Sequence, residues 1–158
     1  MSGPVDRNYH LLVADADPAT CSAVHRVLGE HGHHVTVTHG GDEAWQELRR
    51  TEYDLLILNL DLAELDGFEI MARSRHNAEL ADLPMIVLSN SNDDDICERA
   101  LALGAAAYLT KPLKLPLLTH CVWEILRNRA RDQELRWLKA RLGIETDREV
   151  EPLIQNGG

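Results

Sequence analysis

Four short apolar runs end on residues that could do chemistry: HLLVA on Asp15, LLIL on Asn59, PMIVL on Ser89, and AAYLT on Lys111 followed by Pro112. A carboxylate can attack an electrophile or hold a cation, while a hydroxyl and an ammonium can bind anionic oxygens. Asn59 is the neutral member of the set: its amide oxygen has no full charge and its nitrogen lone pair is delocalised.

The runs that position these groups alternate with helical patterns. Strands are expected at 10–15, 34–38, 54–60, 84–89 and 106–110, with helices at Pro18–Glu30, Asp42–Arg50, from Gly67 to about Asn77, Asp93–Leu103 and from about Leu115 onward. Runs such as LLVA and LLILNL are continuous rather than alternating, which a strand covered on both faces requires. The prediction is a doubly wound parallel α/β sheet whose crevice lies beyond the carboxyl ends of the strands. Asp17 before Pro18 is a helix start, and Gly32 and Gly104 stand where helices must end.

The 158 residues carry a net charge of −10, unevenly spread. Residues 1–126 hold 9 Lys+Arg against 20 Asp+Glu, a balance of −11, whereas 127–158 hold 7 against 6, a balance of +1. An acidic domain repels phosphate backbones, so nucleic-acid binding is disfavoured. No apolar run approaches the ~20 residues of a membrane span. Cys21, Cys97 and Cys121 are too widely spaced for a disulfide framework or a zinc pattern, and a reduced, cytoplasmic protein is expected.

An acid, a hydroxyl and a lysine before proline at the ends of a five-stranded pattern resemble the receiver domain of two-component response regulators, over roughly residues 8–128. LLVADADP is similar to its acidic-pair motif, DLLILNLDLAELDGFE to its phosphoacceptor strand, PMIVLS to its hydroxyl strand and GAAAYLTKPL to its lysine strand. The resemblance implies a flavodoxin-like (βα)5 fold with strand order 2-1-3-4-5. It also implies transfer of a phosphoryl group from a histidine kinase to an aspartate at the end of strand 3. In that scheme an acidic pair holds Mg²⁺, and Ser89 and Lys111 bind phosphoryl oxygens. Tyr108 matches the switch aromatic, and Pro112 is expected to be cis. Asn59 stands at the phosphoacceptor position, where an amide cannot replace a carboxylate nucleophile, and Ala16 at the second acid; two losses in one pocket mark natural degeneration. Mg²⁺ wants near-octahedral oxygen donors, usually one or two carboxylates with phosphate oxygens, so Asp15 alone offers weak Mg²⁺ binding at best, and no metal or other cofactor is expected. Asp61 is the acid that could stand in for Asn59, but the two face the same way only if the strand continues, and position 61 is expected to turn into the loop. In such a pocket Lys111 is expected to pair with Asp15 or Asn59.

Helix 5 shows an apolar stripe at Leu117, Leu118, Cys121, Val122, Ile125 and Leu126, then continues through RNRARDQELRWLKARLG. This extension, residues 129–149, carries Leu135, Leu138 and Leu142 with Trp137 beside them, too short for a confident coiled coil. It is read first as a dimerisation or partner helix, against a helix folded back on its own domain or a linker to a missing effector. Residues 150–158 are expected to be disordered. The histidines of HGHH are read as surface residues, Asp93–Asp95 as a helix cap, and the cysteines as small buried hydrophobes.

The expected function is a stand-alone pseudo-receiver that acts by phosphorylation-independent contact with a histidine kinase or downstream effector, or by homodimerisation. The alternative is a working phosphoacceptor using Asp61. An enzyme is not expected, since ADADPAT replaces any phosphate-cradling glycine loop after strand 1.

Overall fold

The computed structural model describes residues 8–143. Five parallel strands, β1 (His10–Ala14), β2 (His34–Thr38), β3 (Leu55–Asn59), β4 (Met85–Ser89) and β5 (Ala107–Thr110), form one sheet in the order β2-β1-β3-β4-β5. The intervening helices are α1 (Pro18–Glu30), α2 (Gly41–Arg50), α3 (Gly67–Arg75), α4 (Asp94–Ala102) and α5 (Leu115–Leu142). This is the flavodoxin-like order. Register places Leu12 beside Leu56, Leu58 beside Val87 and Ser89 beside Thr110, which brings the carboxyl ends of the central strands to one edge.

Alternate residues of the buried strands feed two cores, as the period of two requires. Leu12, Leu56, Leu58, Met85 and Val87 pack with Leu48 of α2, Ile70 and Met71 of α3, and Ala100 of α4. On the opposite face Leu11, Val13, Leu55, Ile57, Ile86 and Leu88 pack with Val24 and Leu28 of α1 and Leu118 and Val122 of α5. Caps fix the helix starts: Asp17 accepts from Ala19 N, Asp66 from Glu69 N and Asp93 from Asp95 N. The helix ends turn through Gly32 and Gly104 at φ +90° and +93°.

Gly67 is demanded by proximity. A Cβ there would lie 2.7 Å from Leu60 Cα and 2.9 Å from the Asn59 carbonyl oxygen, so only glycine lets α3 start against the end of β3. Arg75, at the other end of α3, donates from Nε to Leu103 O, from Nη1 to both Ala81 O and Leu83 O, and from Nη2 to Gly104 O, all at 3.0 Å. Burial pushes its pKa down, opposed by Asp82.

Three expectations are corrected. Leu117 is 46% exposed rather than part of the core stripe, because it lies about 100° around the helix from Leu118 and farther from Val122 and Leu126. Cys97 and Cys121 are only partly buried, unlike Cys21. His33 is half-buried rather than a surface residue, with its ring 5.8 Å from that of Tyr9.

The chain divides into two compact units, one ending at Arg127 and one beginning at Asn128. The described part of the second is the last part of α5, closed by Gly143 at φ +73°. In it Leu135, Trp137, Leu138 and Leu142 are 47%, 56%, 41% and 71% exposed. Arg141 stacks over the Trp137 ring at 4.9 Å. Residues 144–149 of the expected extension and the expected disordered tail at 150–158 lie outside the described residues. Among the described residues no helix is long and apolar enough to cross a membrane.

Candidate functional site

The crevice is built from strand ends. β1 stops at Ala14, so Asp15 is the first residue beyond it, and its side chain is fully buried. Asn59 and Ser89 are the last residues of β3 and β4 and are also buried. β5 ends at Thr110 and hands the chain to Lys111, whose peptide bond to Pro112 is cis. Thus Asp15, Asn59, Ser89 and Lys111 are gathered at one edge of the sheet, while Ala16 and Asp61 lie exposed in loops.

Each of these four side chains has a partner in the chain. Lys111 Nζ lies 2.8 Å from Asp15 Oδ2, and Asp15 Oδ1 accepts from Asp17 N at 2.9 Å. Of the two partners expected for Lys111, Asp15 is the one it takes. The Asn59 amide oxygen accepts from Asp61 N at 2.9 Å, closing an Asx turn that carries the chain out of β3. Ser89 Oγ accepts from Ser91 N at 3.0 Å, and Ser91 Oγ accepts in turn from Asp93 N. Tyr108, half-buried on β5, donates its hydroxyl to Ser91 O at 2.8 Å and so ties β5 to the same loop.

Reasoning from the sequence missed two neighbours of Asp15. The Cys21 thiol donates to the Asp15 carbonyl at 3.1 Å, and His39 Nδ1 lies 3.2 Å from the same oxygen. Burial, followed by the nearby Asp15 and Asp17 charges, pushes the Cys21 pKa up to about 11, so it is a structural thiol rather than a reactive one. Nothing in the spacing of Cys21 marked it, since it sits on the core face of α1.

The donor set does not fit Mg²⁺. Asp15 is the one carboxylate at the strand ends, and both of its oxygens are engaged; Asp17, the next acid, is exposed and spends its oxygens on Ala19 N and the Thr20 hydroxyl. A groove beside the strand ends is lined by Leu60, Asp61, Asp66, Phe68, Ser89 and Ile96. Arg99 of α4 stacks over Phe68 of α3 at 3.9 Å next to it.

Residues 11–122 match the family model of the response regulator receiver domain. The chain is 34% identical over 140 residues to the phosphate regulon transcriptional regulatory protein PhoB of Rhizobium meliloti, covering 89% of this chain and 61% of that protein. It is 32% identical over 122 residues to the transcriptional regulatory protein AfsQ1 of Streptomyces coelicolor, covering 77% and 53%. Among solved structures, a two-component response regulator from Clostridium difficile superposes with a TM-score of 0.71 at 28% identity, covering 76% of this chain and 97% of that one. The chain belongs to the response regulator receiver domain family. It is therefore a receiver domain of two-component signalling, a class that interacts with histidine kinases and effectors and is in general not enzymatic. The chain spans from 14% to 61% of the length of the curated relatives it matches.

Proposed function

We propose that this receiver domain signals without an aspartyl phosphate, as a pseudo-receiver that works through protein contact. The observation that carries this reading is the occupant of the phosphoacceptor position: Asn59 ends β3, and its amide oxygen is committed to the backbone of Asp61. The surroundings support it. The ammonium that would meet a phosphoryl oxygen already meets Asp15 at 2.8 Å, and Ala16 leaves Mg²⁺ without a second carboxylate. Residues 8–128 act as the receiver unit, and the part of α5 from residue 129 to Leu142 as a helical extension.

Output then comes from a partner that binds one conformation better than another, since an equilibrium shifts only by differential affinity. Exposed Leu101 on α4 and Leu117 on α5 offer apolar anchors for such a partner, a signalling protein. The test is intact mass after incubation with acetyl phosphate and Mg²⁺, alongside a thermal shift with beryllofluoride. Unchanged mass and melting temperature are expected. One added phosphoryl group, mapped to Asp61 or Asp15, overturns the reading and makes the residue that carries it the acceptor to pursue.

A further inference from the structure

We infer that the extension pairs with a second copy of this chain, antiparallel, through a seam of Leu135, Leu138 and Leu142. The inference rests on the reading of this helix as a contact surface and adds its occupant and its geometry. All three leucines lie on one uninterrupted helix and are exposed in the single chain. At about 100° per residue, Leu135 and Leu142 fall about 60° and 40° to one side of Leu138, so the three form one stripe. Trp137 falls about 100° to the other side of Leu138 and about 160° from Leu135, which removes it from that stripe.

Charge decides the occupant. On one flank of the seam stand Glu134 and Arg141, on the other Asp132 and Lys139. An antiparallel pair that sets Leu135 of one copy against Leu138 of the other also sets Leu142 against the aliphatic stem of the second copy's Arg131. In that register each flank faces its own kind, so Glu134 meets the second copy's Arg141 and Asp132 meets its Lys139. Symmetry repeats both pairs, giving opposite charges at every flank contact. A parallel pair would instead bring Arg131 against the second copy's Arg131 in the seam. Trp137 has a place in this arrangement outside the seam: its ring lies under the Arg141 guanidinium at 4.9 Å.

The overlap, residues 131–142, spans only about 18 Å of helix, so association is expected to be weak and concentration-dependent. Sedimentation equilibrium of the full chain between about 10 and 300 μM should show a monomer–dimer equilibrium that weakens with salt. Leu138→Lys, with unchanged helicity by circular dichroism, should be monomeric throughout. The double variant Asp132→Lys/Glu134→Lys should lose dimer at least tenfold, and adding Lys139→Glu and Arg141→Glu should restore it. Orientation is read by oxidative cross-linking of mixed single-cysteine variants. Glu134→Cys should cross-link to Arg141→Cys, whereas a cross-link to Lys139→Cys would overturn the antiparallel arrangement. A wild-type chain that stays monomeric at 300 μM, or a Leu138→Lys chain that still dimerises, overturns the inference. Either result leaves the acetyl phosphate mass unaffected, so this failure is separable from failure of the pseudo-receiver reading.

Discussion

Lys111→Met leaves a fully buried carboxylate with its charge uncompensated. Asp15 Oδ2 faces only the ammonium, at 2.8 Å, while Oδ1 retains the Asp17 N–H, and Lys111 itself is 14% exposed. Removing one member of a buried pair costs about 3–5 kcal/mol, and the surviving bond to Oδ1 with the partial exposure of Lys111 argues for the lower end, about 3 kcal/mol. For a domain of this size that corresponds to a fall in Tm of roughly 10 °C. The reverse variant, Asp15→Asn, is milder, about 1 kcal/mol, because the long lysine stem lets the ammonium reach water while a carboxylate on a buried strand end cannot. Asp15→Asn/Lys111→Met together should recover most of the larger loss, since neither charge is then stranded. Urea unfolding of the three variants at pH 7 and low salt measures each difference. Equal losses for the two single variants, or a Lys111→Met loss below about 1 kcal/mol, would show that water already solvates the pair and would refute the argument from burial.

Restoring the two missing acids, Ala16→Asp with Asn59→Asp, should confer Mg²⁺-dependent uptake of one phosphoryl group from acetyl phosphate, read by intact mass; no uptake would place the block elsewhere in the crevice. Gly67→Ala should destabilise by about 1–3 kcal/mol in urea, because the new methyl meets the backbone of Leu60 and Asn59 rather than a movable side chain. Asp17 has its pKa lowered by the Thr20 hydroxyl first and the Ala19 N–H next. Its cap therefore contributes fully above the ordinary carboxylate value of 3.8 and is lost as pH falls through the depressed folded value, a dependence that Asp17→Asn should remove from the acid limb of a stability profile. Cys21, with its pKa pushed up to about 11, should resist thiol reagents at pH 8 until the chain unfolds, while the partly buried Cys97 reacts in the native state and Cys121, whose pKa burial also raises, reacts more slowly than Cys97.

The strands were legible because burial on both faces forces uninterrupted apolar runs, and their ends followed within a residue or two. Asp17 with Pro18 located the start of α1 through the same chemistry the structure displays. Asp15, Asn59, Ser89 and Lys111 could be grouped because a parallel sheet sends all carboxyl ends one way. The failures have a common origin in geometry that adjacency hides. Leu117 and Leu118 look equivalent in a list, yet about 100° of helix rotation separates them, and it is Leu118 that meets the core. The His33 ring lies against that of Tyr9, far away in sequence and brought close by the β1–β2 pairing. Arg75 was indistinguishable from any cation at the end of a helix, because its acceptors are carbonyls, which no side-chain pattern encodes.

That guanidinium also says how the molecule comes apart. Its four acceptors belong to the segment entering β4 and to the turn between α4 and β5, so one side chain on α3 holds the approaches to both strands. Neither approach can open without taking hydrogen-bond partners from a partly desolvated cation. The half of the sheet containing β4 and β5 thus behaves as one cooperative unit, and its slowly exchanging amides should be released together rather than strand by strand.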